Sequence, residues 1–126
     1  MVGTHMAGKN ERAAFADVVT KYDRNFKSSR REFIISDTSV YIIGAEKEKT
    51  GPNKGQLVKV IKRKIPFKDI ASISLSTKCD DFFVLHIPSE FDNVFDNVLK
   101  TELVSVLCEK YLADVGRPLA VNFSDT

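Results

Sequence analysis

The chain is poor in cysteine: Cys79 and Cys108 are the only two. They lie far apart in sequence, form no CxxC pair and have no histidine nearby, which argues against both a zinc site and a disulfide framework. Both read as free thiols, Cys108 as a small core residue inside an apolar helical pattern. No window approaches the roughly 18 consecutive apolar residues of a membrane span, and no apolar stretch of signal-peptide length opens the chain. The expectation is a soluble, cytoplasmic protein. The opening "MVGTHM" has the look of an expression-vector remnant, so residues 1–8 are set aside as a tag and disordered N-terminus and His5 and Met6 enter no argument.

Catalytic constellations are missing too. His86 alternates with Phe83, Leu85 and Ile87 and has no serine or cysteine at a meaningful sequence spacing, so no base–nucleophile pair can be assigned. Asp80 and Asp81 are adjacent carboxylates at a strand entrance and read as a turn. The loop "GPNKGQ" lacks the Gly-Lys-Ser/Thr ending and strand-to-helix setting of a phosphate loop. The sequence therefore predicts no enzyme, no metal and no cofactor.

What is present is a run of strands. The 126 residues, 43% hydrophobic, suit one globular domain. Segments of period two, rich in β-branched and aromatic residues, occur at 14–22, 31–37, 39–46, 56–67, 70–77 and 81–88, with room for a short seventh at 93–97. "SDTS" reads as a tight turn and "KTGPNKG" as a flexible loop, and such short connections imply antiparallel neighbours. The period then becomes helical over 99–115, with Val104, Leu107, Cys108 and Tyr111 on one face, flanked by Leu103 and Leu112, and Glu102, Ser105, Glu109 and Lys110 on the other. Gly116, Arg117 and Pro118 stop the helix. A last run, "PLAVNFSD", reads as a strand whose partner is not evident. The pattern predicts a mainly β, α+β fold of pleckstrin-homology type: a seven-stranded antiparallel barrel or sandwich capped by one amphipathic helix.

The charge is unevenly spread. Residues 21–68 hold 13 Lys/Arg against 5 Asp/Glu, while the rest of the chain holds 6 against 12. A basic concentration of this kind points to an anionic partner, or to a solvated lysine-rich face that protects strand edges. The segment "KYDRNFKSSRRE", residues 21–32, is its densest part, with five basic side chains and two aromatics.

The blocks "KYDRNFKSSRREFIISDTSVYIIG", "LSTKCDDFFVLHI", "KTELVSVLCEKY" and "PLAVNFSDT" resemble, in order and spacing, the tail homology 1 domain of class I myosins, over residues 15–126. That resemblance implies a pleckstrin-homology fold over residues 9–116, binding of anionic phospholipids, and a part in holding a motor at the plasma membrane and actin cortex. It also implies that residues 117–126 open a further, truncated tail segment.

Phosphoinositide-binding pleckstrin-homology domains are similar to one another in a first-strand lysine and, entering the second strand, a basic residue, any residue and an arginine. Lys21 stands for the first, Arg30 for the second and Arg31 for the variable position. Glu32 stands where the arginine belongs, which predicts weak headgroup discrimination. The lipid-binding candidates are therefore Lys21, Arg24, Lys27, Arg30 and Arg31 with Lys47, Lys49 and Lys54, the two loops opening at one end of the barrel. Phe26 either inserts into the lipid interface or folds back to anchor its loop. Lys59, Lys62, Arg63 and Lys64 form a secondary basic strand, in which Lys62 and Lys64 are expected to share a face with Val58 and Val60, as snorkelling side chains or as lipid contacts. The predicted partners are phosphatidylserine and phosphoinositides. The alternative is a protein-interaction module in which the same basic surface binds actin filaments or a regulatory protein. Nucleic acid is disfavoured, because no aromatic pair sits on an evident strand face among the cations.

Overall fold

A computed structural model describes residues 12–49, 51–52, 54–76, 81–89 and 93–124. The tag-like residues 1–8, Cys79 and Asp80 lie outside them. The described chain folds into eight strands and one helix: β1 (Phe15–Tyr22), β2 (Ser28–Ile35), β3 (Ser39–Lys47), β4 (Leu57–Pro66), β5 (Ser72–Ser76), β6 (Phe82–His86), β7 (Asn93–Asp96), α1 (Lys100–Val115) and β8 (Ala120–Ser124). A 3-10 turn, Phe67–Asp69, joins β4 to β5. The strands form one sheet in the order β4-β3-β2-β1-β7-β6-β5-β8, with β4 and β8 at its two edges.

β1 to β4 are an antiparallel meander, and β5 to β7 a second one joined to it where Thr20–Tyr22 pair with Val94–Asp96. The expected tight turn "SDTS" is built by Ser36: its buried hydroxyl oxygen accepts from the Thr38 and Ser39 backbone N–H groups at 3.2 and 3.0 Å and donates to the Ser39 carbonyl at 3.1 Å. β2 starts three residues earlier than period two suggests, because the short loop before it lets Ser28, Ser29 and Arg30 pair with Tyr22, Lys21 and Thr20.

One face of the sheet wraps a core in which three phenylalanines from separate strands meet. Phe33 lies edge-on to Phe95 and Phe83, with centroids 5.3 and 5.7 Å away, and Phe83 stacks on Phe95 at 5.3 Å. Such pairs contribute about 0.5–1.5 kcal/mol each beyond their area burial. On the opposite, outer face Ile34, Tyr41 and Ile43 make a smaller buried cluster.

α1 closes the core. It buries Leu103, Leu107 and Tyr111, spaced i, i+4, i+8, with Val104 and Cys108 half-buried beside them and Leu112 49% exposed. The buried stripe is thus rotated toward Leu103 from the face centred on Val104 and Cys108 that the sequence suggests. Desolvation pushes the Cys108 thiol above its ordinary pKa. The helix start is tied to β1 through buried Asn97, whose Oδ1 accepts from the Leu99 N–H at 2.8 Å while Nδ2 donates to the Val18 carbonyl at 2.9 Å. Farther along, the Tyr111 hydroxyl donates to the Ile70 carbonyl at 3.3 Å. Gly116, at φ 89°, caps the helix with its N–H on the Leu112 carbonyl.

The strand whose partner the sequence leaves unassigned is β8. It runs parallel to β5, from Ser72 opposite Ala120 to Ser76 opposite Ser124. A parallel partner nearly fifty residues away leaves no local trace in sequence, and pairing with it brings the last expected strand into the sheet beside the seven of the expected barrel.

Candidate functional site

β1 and β3 run in the same direction, so the β1–β2 loop (residues 23–27) and the β3–β4 loop (residues 48–56) open at one end of the sheet. The start of β7 arrives there as well, since Val94 is opposite Tyr22. This end forms a mouth opposite the one that α1 covers.

The β1–β2 loop is tightly organised. The Asp23 carboxylate accepts from the backbone N–H groups of Asn25 (2.8 Å) and Lys27 (2.9 Å), and the Phe26 N–H donates to the Asp23 carbonyl at 2.9 Å. The Lys27 N–H bond is the main reason why the Asp23 pKa is held below the usual carboxylate value, helped by the Asn25 N–H and the Lys27 and Lys21 charges. Phe26 takes a left-handed φ of 61° and is 74% exposed, yet its ring stands edge-on to Tyr22 at 5.9 Å. Tyr22 in turn packs on Phe82 at 5.5 Å, and its hydroxyl donates to Asp96 Oδ2 at 2.6 Å. That bond raises the Tyr22 pKa, since a phenolate would have nothing to donate and would face a carboxylate. Phe26 is therefore outward-facing and braced at once. In the β3–β4 loop, Gly51 and Gly55 supply positive φ values of 83° and 89°, and the Gly55 N–H returns to the Glu48 carbonyl at 2.9 Å. The loop displays Lys49 and Lys54 to solvent.

Strand parity sorts the remaining cations. Lys21 shares the inner face with buried Val19, and Arg31 shares it with buried Phe33; both are half-buried just inside the mouth. Arg30 points outward with Ile34, and Lys47 outward with Tyr41 and Ile43. The first-rank candidates therefore divide: Lys21, Arg24, Lys27, Arg31, Lys49 and Lys54 belong to the mouth and its loops, whereas Arg30 and Lys47 lie on the outer face.

β4 departs from the expected alternation. Arg63 is opposite Ile42 but Ile61 is opposite Ile43, so Lys62 is the extra residue of a β-bulge. Lys62 turns inward, where its Nζ meets Glu46 Oε2 at 2.6 Å and holds the Glu46 pKa down. Lys64 ends on the other face, 5.7 Å from the Tyr41 ring centroid. Lys62 and Lys64 do not share a face, because the bulge resets the parity between them. Half-buried Arg63 faces the Ile42 position, and Lys59 reaches Glu32 Oε1 at 2.8 Å on the outer face.

That ion pair fixes the place of Glu32. The carboxylate points away from the mouth and is occupied by Lys59, so it does not stand against an incoming phosphate; Arg31, read as the variable position, is the residue that faces inward. Sequence reasoning also passes over Gly44, which lies beneath Arg31 and Lys62, and Asp23, which shapes the loop. A glycine inside an apolar strand is the one available signal for the first.

His86 has a partner that spacing does not disclose: Ser74 Oγ lies 2.7 Å from His86 Nε2 across the β5–β6 ladder. Among the described residues no group of His, Cys, Asp and Glu side chains is placed to hold a metal ion.

A model of the family described as "unconventional myosin tail, actin- and lipid-binding" matches residues 2–126. The chain belongs to this family. It is a non-catalytic tail domain, so the Ser74–His86 contact is a strand-to-strand hydrogen bond. The chain is 42% identical over 115 residues to myosin heavy chain IB of Acanthamoeba castellanii, covering 91% of the chain, and 39% identical over 119 residues to myosin IB heavy chain of Dictyostelium discoideum, covering 94%. It spans about a tenth of the length of each of these myosin heavy chains, which is 10% in both cases. Solved structures share the fold at low identity. The hSac2 domain of human phosphoinositide phosphatase Sac2 superposes with a TM-score of 0.69 at 10% identity, covering 99% of the myosin tail chain and 84% of its own. The Slm1 pleckstrin-homology domain, solved in complex with inositol-4-phosphate, gives 0.55 at 14%, covering 81% and 96%. The tail domain therefore has the pleckstrin-homology-like fold, with its sheet left open rather than closed into a barrel. No helix among its described residues is long and apolar enough to cross a membrane.

Proposed function

We propose that this domain holds its parent myosin on anionic phospholipid at the cytoplasmic face of the plasma membrane, in the actin-rich cortex. The observation that carries this reading is the gathering of Lys21, Arg24, Lys27, Arg31, Lys49 and Lys54 at the mouth, with the braced, exposed ring of Phe26 among them. Each cation close to an acidic leaflet is worth about 1 kcal/mol, screened over roughly 8 Å at physiological salt. Phosphatidylserine and phosphoinositides both supply the phosphate chemistry, and inward-facing Arg31 adds a forked donor that suits phosphate groups.

The test is cosedimentation with phosphatidylserine-rich vesicles. Lys27→Glu with Lys54→Glu should remove most of the binding, and Lys68→Glu with Arg117→Glu, the same change in net charge outside the mouth loops, should remove little. Binding should also fall steeply as salt rises. Equal losses from the two pairs, or equal binding to neutral vesicles, would overturn the assignment.

A second reading, actin-filament binding, is favoured by the family's description as both actin- and lipid-binding. It requires a surface, which the mouth cannot supply while it faces a membrane.

A further inference from the structure

We infer that the outer face of β1–β4 is a second docking surface, separate from the mouth, and that its occupant is an actin filament. This rests on the second reading above. A shallow groove crosses that face, lined by outward-facing Val18, Arg30, Glu32, Ile43, Ala45 and Lys59 together with Arg31 and Gly44. β4 extends it with Leu57 and Ile61, opposite Lys47 and Ile43, so Leu57, Lys59 and Ile61 alternate outward in a row. Three aliphatic side chains in and beside the groove are open to solvent: Leu57 is 68% exposed, Ile61 42% and Val18 41%. Most antiparallel sheets that keep one face in water clothe it with polar residues, so an aliphatic strip there marks a contact surface.

Charge and orientation both select the occupant. Arg30, Lys47 and Lys59 rim the strip, which suits a polyanionic protein polymer such as actin. The floor also holds Glu32, paired with Lys59 at 2.8 Å. That pair leaves the floor with a paired donor and acceptor, which a protein surface can match in register and a uniformly acidic leaflet cannot. The strand axes of this meander point at the mouth, so the outer face stands alongside a membrane-bound domain rather than against the lipid. Filament and bilayer can then be held together on different faces, with Arg31 the one mouth residue that also borders the groove.

The experiment compares cosedimentation with filamentous actin and with phosphatidylserine-rich vesicles for the unaltered chain and for Leu57→Thr with Ile61→Thr. This pair removes aliphatic surface at constant charge and keeps good strand formers. Actin binding should weaken about five-fold or more, with vesicle binding unchanged. The inference is overturned if the unaltered chain does not pellet with actin, or if the variant pellets as well as the unaltered chain. A loss of both activities at an unchanged melting temperature would also overturn it, by giving the strip to the membrane. Should the melting temperature fall, Lys59→Met, which keeps the side-chain stem and removes the cation, is read by the same outcomes. Failure of the unaltered chain to bind vesicles would count against the lipid reading alone, and the actin arm would still decide this one.

Discussion

Arg31 and Lys62 cross over Gly44, so closely that a β-carbon there would come within 3.1 Å of Arg31 Nε and 2.9 Å of Lys62 Cε. The glycine is needed for what lies above it. Gly44→Ala forces Lys62, and with it Arg31, to re-rotate while the backbone stays in place. The melting temperature should stay within about 3 °C, under about 1 kcal/mol, because flexible stems absorb most of the clash. Vesicle affinity should still drop about threefold as the inner cations leave their places. A stability loss without an affinity loss would show that the cradle has no part in binding.

The opposite facing of Arg31 and Glu32 gives a second expectation. Arg31→Gln should weaken binding to phosphoinositide vesicles more than to phosphatidylserine vesicles of matched surface charge, since it removes a forked donor from the inner face. Glu32→Arg should raise binding to both lipids alike, because position 32 points away from the mouth. A phosphoinositide-selective gain from Glu32→Arg would mean that the outer face, not the inner, reads the headgroup.

Leu107 is fully buried on the inner side of α1, and Leu112 is 49% exposed on the same helix. Leu107→Ala should cost roughly 2–5 kcal/mol and Leu112→Ala less than about 1 in urea unfolding. Equal costs would mean that the inner stripe does not run through Leu103, Leu107 and Tyr111.

Asp23 holds its loop as a carboxylate, with a folded pKa below the unfolded value of about 3.9. Its contribution is complete above the unfolded value and is lost as pH falls through the lowered, folded one. Amide exchange at Asn25 and Lys27 should therefore be slow at neutral pH and accelerate in Asp23→Ala. Unchanged protection in that variant would assign the loop's order to the Tyr22–Phe26 contact instead.

Much of this was readable in advance. Seven strands, the "SDTS" turn and the helix follow from period and turn residues, because these are encoded within a few neighbours. The basic segment at 21–32 was likewise plain. Three things were not. The bulge at Lys62 is a property of the β3–β4 pairing, invisible to a rule that alternates faces residue by residue. The β8 partner lies far away in sequence and parallel. Finally, the division of "RRE" between two faces depends on whether the strand is counted from Phe33 or from the loop, so charge alone joined Arg30 to Arg31 although the sheet separates them.

The loop that carries Phe26 and Lys27 follows directly on β1, and this has a mechanical consequence for a motor's tail. A pull arriving at Phe15 and resisted at residues 23–27 travels along one strand that already rises about 3.3 Å per residue, close to the chain's limit of about 3.3–3.6 Å. The path has almost no slack, and pairing with β2 along its length and with β7 at its end keeps it straight. A pull resisted at Lys54 instead crosses to β3 and loads the ladders between β1, β2 and β3 in shear. Handles at residues 14 and 22 should therefore register a stiff, short connection with no unfolding step, while handles at 14 and 54 should register rupture of the sheet. Grip through the first loop would pass tension to the membrane and spare the fold.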